Sequence, residues 1–188
     1  MSDAPLQSEP VRDPSDAQLM AELATGDTRS LATLVERHQS RVLELAYRTT
    51  GDWSMAEDVA QEAFLRVWRS ADTYRPQARF TTWLYRIVVN LCLDALRRRR
   101  KTAGDEAIAR FEASDHPSQT AEQRDRAEAV RRAVSALPER QRVALVLYRF
   151  SDLPLQQVCE VTGWSASAVE SLLVRAYAQL RTALKDTV

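Results

Sequence analysis

The sequence predicts an all-α chain: two small helical domains joined by a linker, the second a helix-turn-helix. Three observations lead there. Glycine is scarce (4 of 188 residues) and aromatics make up 7%, too few of either for a β-rich fold with many tight turns. Ala, Leu, Arg, Glu and Gln, all good helix formers, dominate the composition. Apolar residues recur at spacings of three and four.

The elements follow in order. Residues 1–14, with Pro5, Pro10 and Pro14 among Ser and Asp, read as a disordered tail. Ser15 and Gln18 form a capping-box pattern that opens a short helix, ending near Gly26. From Ser30, Leu31, Leu34, Val35, Val42, Leu45 and Ala46 make a long amphipathic helix closed by Gly51. Ser54, with Glu57 three residues on, is expected to cap the next, whose apolar positions run from Ala56 to Trp68. Residues 72–79 are polar, include Pro76 and read as a loop. Thr81 or Thr82 can cap a helix through Trp83, Leu84, Ile87, Val88, Leu91 and Leu96 into the run Arg97, Arg98, Arg99, Arg100. Residues 15–101 thus form one helical bundle. Residues 102–121 read as a linker, with a turn of helix expected around 108–111. The second module, 122–188, opens with a helix to Ala136 that Leu137-Pro138 stops, and Pro138 opens the next.

The second module carries a helix-turn-helix pattern at 155–175. Gly163 falls where the turn needs a positive φ. Trp164 follows as a buried anchor, and Ser165 can cap the second helix. Val158, Cys159, Val169 and Leu172 occupy the positions where the helices cross, with small Cys159 allowing close approach. Ser165, Ser167, Ala168, Glu170, Ser171 and Arg175 then lie on or near the outer face, the face such motifs place in a major groove. Any αα-hairpin of a bundle is the competing reading of this segment.

The formal net charge is zero, but it is unevenly distributed. Residues 1–30 carry −4, residues 31–72 carry −2, and residues 73–101 carry +7. Residues 102–121 return to −3, and the remainder carries +2. A basic block of that kind suits an anion-binding face, nucleic acid first. Four arginines at a helix C-terminus also complement the helix dipole, so charge alone leaves both readings open.

Little points to catalysis. There is no phosphate-binding glycine loop and no GxSxG or HExxH string. Cys92 and Cys159 stand far apart in the sequence, outside any metal-ligand spacing, and His38 and His116 are isolated. Both cysteines read as small core residues, and no metal or cofactor is expected. No apolar run approaches ~18 residues, and the polar N-terminus does not resemble a secretory signal. The expected compartment is the cytoplasm, without membrane insertion.

Four strings, in order, carry a family resemblance: AEDVAQEAF at 56–64, FTTWLYRIVVN at 80–90, LPERQR at 137–142 and VESLLVRA at 169–176. With them the chain resembles the extracytoplasmic-function (ECF) sigma factors of bacterial RNA polymerase, which carry sigma regions 2 and 4. The resemblance covers about 150 residues. It implies a dissociable initiation subunit without catalytic residues, whose partners are core RNA polymerase, promoter DNA and an anti-sigma factor. It implies polymerase docking through Asp58, Gln61, Glu62, Phe64 and Trp68, although Phe64 and Trp68 equally suit core positions. Tyr74, Phe80, Trp83, Tyr85, Arg86 and Asn90 become the −10 element reader, where unpaired bases stack on rings or meet the Asn90 amide. Trp83 also fits the core. Arg97, Arg98, Arg99, Arg100 and Lys101 become phosphate ligands. Ser165, Ser167, Ala168, Glu170, Ser171 and Arg175 become the −35 element contacts, with Arg140, Arg142 and Arg149 contributing from neighbouring helices. Here the sequence departs from the family, since Glu170, Leu172 and Tyr177 stand where members commonly carry Lys or Arg. A polymerase-independent helix-turn-helix regulator accounts for 155–175 but leaves the first module's strings without a role.

Overall fold

The computed structural model describes residues 13–76, 79–103 and 121–185. Among them are eight α-helices: α1 (Asp16–Ala24), α2 (Thr28–Thr50), α3 (Trp53–Arg69), α4 (Phe80–Ala103), α5 (Ala121–Ser135), α6 (Glu139–Leu145), α7 (Leu155–Thr162) and α8 (Ala166–Ala183). The expected turn at 108–111 and His116 lie outside the described residues.

Local chemistry sets most boundaries, though not always through the expected residues. The Ser15–Gln18 capping box opens α1 as the pattern predicts. Helix α2 starts at Thr28 rather than Ser30, because Asp27 accepts from the Arg29 amide at 2.9 Å. It closes on Gly51, whose φ of 73° is the left-handed conformation. The Ser54–Glu57 box does not form. Asp52 caps α3 instead, accepting from the Met55 amide at 2.9 Å, and Glu57 accepts from Trp53 Nε1 at 3.0 Å. Helix α4 opens at Phe80 without a threonine cap, and Thr82 is buried. Pro138 sits at the N-cap of α6. Beyond Leu145 the helix widens into a π turn, Val146–Phe150, with the Ser151 amide bonded to Val146 O at 3.0 Å.

The helix-turn-helix forms as read. Gly163 has φ 72° and donates to Cys159 O at 2.7 Å. Ser165 caps α8. Burial departs from expectation at three positions. Trp164 is only half-buried, with the Arg140 guanidinium 4.5 Å over its ring. Cys159 and Leu172 are half-buried, and Leu173 is the enclosed neighbour.

The two modules share one core. Leu34, Val42, Leu84, Val88 and Cys92 belong to the same buried cluster as Val143, Val146, Leu147, Val158 and Val169. Helix α7 packs on α4, and the π turn packs on α2. Polar contacts clasp the junction: Arg48 lies 4.3 Å over the Phe150 ring, and Arg100 pairs with Glu139. Arg142 is 5% exposed, donates to Ser135 O at 2.6 Å, and leaves its Nε unpartnered. Burial lowers its pKa, although nearby Glu139 opposes that shift. A buried guanidinium with an unmet donor offsets part of what the apolar contact contributes.

Two predictions follow from this packing. Arg48→Ala combined with Glu139→Lys removes both clasp contacts, so the radius of gyration in solution X-ray scattering should rise; an unchanged radius rejects the clasp. Burial pushes the Cys92 thiol up to about 12. Iodoacetamide should therefore leave Cys92 unlabelled in the folded chain at pH 9. The unfolded thiol ionises first, so this group contributes stability below its ordinary pKa that is lost as pH climbs towards 12.

Candidate nucleic-acid and protein interfaces

Helix α3 turns its small residues inward. Ala56, Val59, Ala63 and Val67 are buried, which leaves the larger side chains for the outside. Asp58 and Gln61 are exposed, and Glu62 pairs with Arg66 at 3.0 Å. Phe64 is half-buried against the core. Trp68 is 51% exposed and is not a core residue. Leu65, which sequence reading missed, is also exposed. Asp58, Gln61, Leu65 and Trp68 follow at i, i+3, i+7 and i+10, so they form one outward stripe. An acidic, amide and apolar stripe of this kind has the chemistry that suits a protein partner. The missed signal was the doubled apolar pattern of α3: a small-residue stripe for the core and a large-residue stripe beside it.

Helix α4 carries the second surface. Its buried side is Leu84, Val88, Leu91, Cys92 and Leu96. Trp83, Arg86, Asn90, Asp94, Arg97 and Lys101 recur at i, i+3, i+7, i+11, i+14 and i+18, along a single line of about 27 Å. Trp83 is half-buried, and the other five are exposed. At the N-terminal end of this line Tyr74, Phe80 and Trp83 make a ring cluster, with centroids 5.0 Å (Tyr74–Trp83), 5.8 Å (Phe80–Trp83) and 6.2 Å (Tyr74–Phe80) apart. Phe80 and Tyr85 depart from expectation, because both are buried and neither offers a ring face to solvent. Phe80 backs the two outer rings. Tyr85 lies on another side of α4, in a cleft with Arg41, Arg79 and Phe150. Burial raises the pKa of both Tyr74 and Tyr85 above the ordinary phenol value.

The basic run is less uniform than its charge suggests. Arg97 pairs with Asp94 at 3.1 Å, Arg99 with Asp52 at 3.7 Å, and Arg100 with Glu139. Arg98 and Lys101 are exposed and make no ion pair among the described residues.

On α8, Ser165, Ser167, Glu170, Ser171 and Arg175 are exposed and Ala168 is half-buried. Arg175 folds back on its own helix, donating to Ser171 Oγ at 2.7 Å and Ser171 O at 3.2 Å. Val174, 69% exposed, and Tyr177 add apolar surface that sequence reading missed. Arg142 is buried and cannot contribute from the neighbouring helix, whereas Arg140 and Arg149 are exposed. Among the described residues there is no group of three or more His, Cys, Asp or Glu that could hold a metal, and no helix long and apolar enough to cross a membrane.

The chain is similar to known proteins along most of its length. Residues 34–102 match the model of Sigma-70 region 2, and residues 127–180 that of Sigma-70, region 4. RNA polymerase sigma-H factor of Pseudomonas aeruginosa is 33% identical over 181 residues, 90% of this chain and 94% of that protein. ECF RNA polymerase sigma factor SigM of Mycobacterium tuberculosis is 34% identical over 168 residues, 88% and 83% of the two chains. Among solved structures, CnrH in complex with the cytosolic domain of CnrY superposes with a TM-score of 0.70 at 26% identity, covering 92% of this chain and 99% of that one. With both family models matched in order and relatives aligned along most of their length, this chain belongs to the sigma-70 family of RNA polymerase sigma factors, in its ECF group.

Proposed function

We propose that this sigma factor is a non-catalytic, cytoplasmic initiation subunit that reads melted −10 sequence along α4 and the −35 duplex with α8. The exposed line from Trp83 to Lys101 is the observation that carries the reading. Aromatic surface and an amide at one end suit unpaired bases, which stack on rings and present hydrogen-bonding edges. Arginine and lysine at the other end suit duplex phosphates. One straight helix thus spans the junction between melted and paired DNA. Flipping a base costs a few kcal/mol, which contacts to Trp83, Tyr74 and Asn90 offset.

The Asp58, Gln61, Leu65 and Trp68 stripe is the docking surface for core polymerase. Its apolar centre and acidic edge suit a basic helical partner. Contact with the −35 element rests on Arg175 released from Ser171, on Ser165, Ser167 and Ser171, and on the amides at the N-terminus of α8. Glu170 can accept from a cytosine amine. Val174 adds apolar contact suited to a thymine methyl group.

An anti-sigma factor restrains the chain at rest, and a stress or signal releases it to its regulon. The support is the likeness to CnrH, solved in complex with the cytosolic domain of CnrY. RpoE of Bartonella quintana, solved with the anti-sigma factor NepR, shares the fold at a TM-score of 0.68.

Purified chain should bind bacterial core RNA polymerase and yield run-off transcripts from a promoter library that share a motif. No binding by a folded chain overturns the reading. Asn90→Ala should reduce open-complex yield about tenfold while leaving core affinity unchanged; equal yield removes Asn90 from the reader. Arg98→Ala and Lys101→Ala should each lower the salt slope of promoter binding by about 0.9. A slope unchanged in both would restrict the basic run to completing a helix end.

A further inference from the structure

We propose that His38, oriented by Asp16, is a positioning residue for the base-reading cluster and acts on Trp83 and Tyr74 through Phe80. The inference rests on the base-reading role proposed for that cluster. His38 stands in the middle of α2, far from the reading surface in sequence, and is 5% exposed. Its ring centroid lies 5.2 Å from that of Phe80, at an interplanar angle of 49°. Phe80 in turn touches both Trp83 and Tyr74. The four rings are continuous, and only the outer two reach the surface.

On its other side His38 Nε2 donates to Asp16 Oδ2 at 2.9 Å. Asp16 is the first residue of α1, and its second oxygen accepts from Arg37 Nη1 at 3.0 Å. Arg37 is also held by Pro14 O at 2.7 Å and by Asp13. The first turn of α1 is thus anchored, and the anchor grips the imidazole.

Core filling does not account for a histidine here. Its Nδ1 is buried without a hydrogen-bond partner, a penalty that a leucine or phenylalanine would avoid. What imidazole supplies is a flat ring against Phe80 together with a donor that fixes the plane of that ring. The second side-chain torsion of an aromatic residue has a broad energy well, so packing alone sets the plane loosely. In a close-packed interior a tilt of one ring displaces the next. Trp83 and Tyr74 come from different elements, and Phe80 is backed by His38 while contacting both. A stacking platform tolerates an error of only about 0.5 Å.

The test uses the full chain in holoenzyme, on the strongest promoter recovered in the run-off screen. Permanganate reactivity of unpaired −10 thymines reports opening, and core affinity is measured in parallel. Asp16→Ala should lower opening about tenfold at unchanged core affinity. Asp16→Asn keeps an acceptor oxygen and should restore it. His38→Phe keeps a ring against Phe80 but loses the bond, so it should fall with Asp16→Ala. Arg37→Ala removes the other partner of Asp16 and should open like the unaltered chain. Wild-type opening in both Asp16→Ala and His38→Phe overturns the proposal. So does an equal loss in Arg37→Ala, which would assign the effect to docking of α1. Trp83→Ala separates the premises: a loss there with intact Asp16→Ala overturns only the positioning role. No loss in Trp83→Ala removes the base-reading role and, with it, anything for His38 to position.

Discussion

Burial of one side of α4 is the constraint on which the rest depends. Leu84, Val88, Leu91, Cys92 and Leu96 must leave water, and α2, α3 and α7 are the elements that cover them. Each fully buried Leu or Val side chain contributes roughly 1.5–3 kcal/mol. That demand fixes the rotation of the helix, and the rotation fixes what faces out. Trp83, Arg86, Asn90, Arg97 and Lys101 are presented in line because their neighbours on the helix are enclosed. The exposed line proposed to read DNA is in this sense the unburied remainder of a packing solution.

The same helix joins the two modules. Its shared core with α7 draws the second module against the first, and the clasp contacts at Phe150 and Glu139 close the seam. The seam contains Arg142, whose burial offsets part of the apolar gain. The basic run is drawn into this geometry: Arg99 and Arg100 are engaged inside the chain, while Arg98 and Lys101 face outward. Formal charge and available charge therefore differ over these residues. The α8 face shows the same pattern in another form, since Arg175 is satisfied by Ser171 on its own helix.

Helix positions, the Gly51 and Gly163 caps and the helix-turn-helix were legible because they follow from local rules: a 3.6-residue period, a left-handed glycine, a serine oxygen facing free amides. Where local readings slipped, two residues competed for one task. Asp52 and Ser54 both can cap α3, and the chain enters the helix at the first. Trp68 and Phe64 have the same chemistry in the sequence, yet the rotation of α3 leaves Trp68 out and tucks Phe64 in. Phe80 and Tyr85 share the aromatic character of Trp83 and Tyr74, but burial separates these enclosed rings from the half-exposed ones.

The sequence by itself determined that the chain is helical, that it divides into two modules, that α8 follows a helix-turn-helix turn, and which motifs tie it to its family. All of these rest on short-range patterns, whose energies depend on residues within a turn or two. Only the tertiary structure decided which aromatic rings reach solvent, which arginines remain unpaired, that the two modules share a core, and that Asp16 reaches Phe80 through His38. Those outcomes depend on contacts between residues distant in sequence, such as Asp16 with His38, 22 positions apart, and Arg48 with Phe150, 102 positions apart, and no local period encodes them.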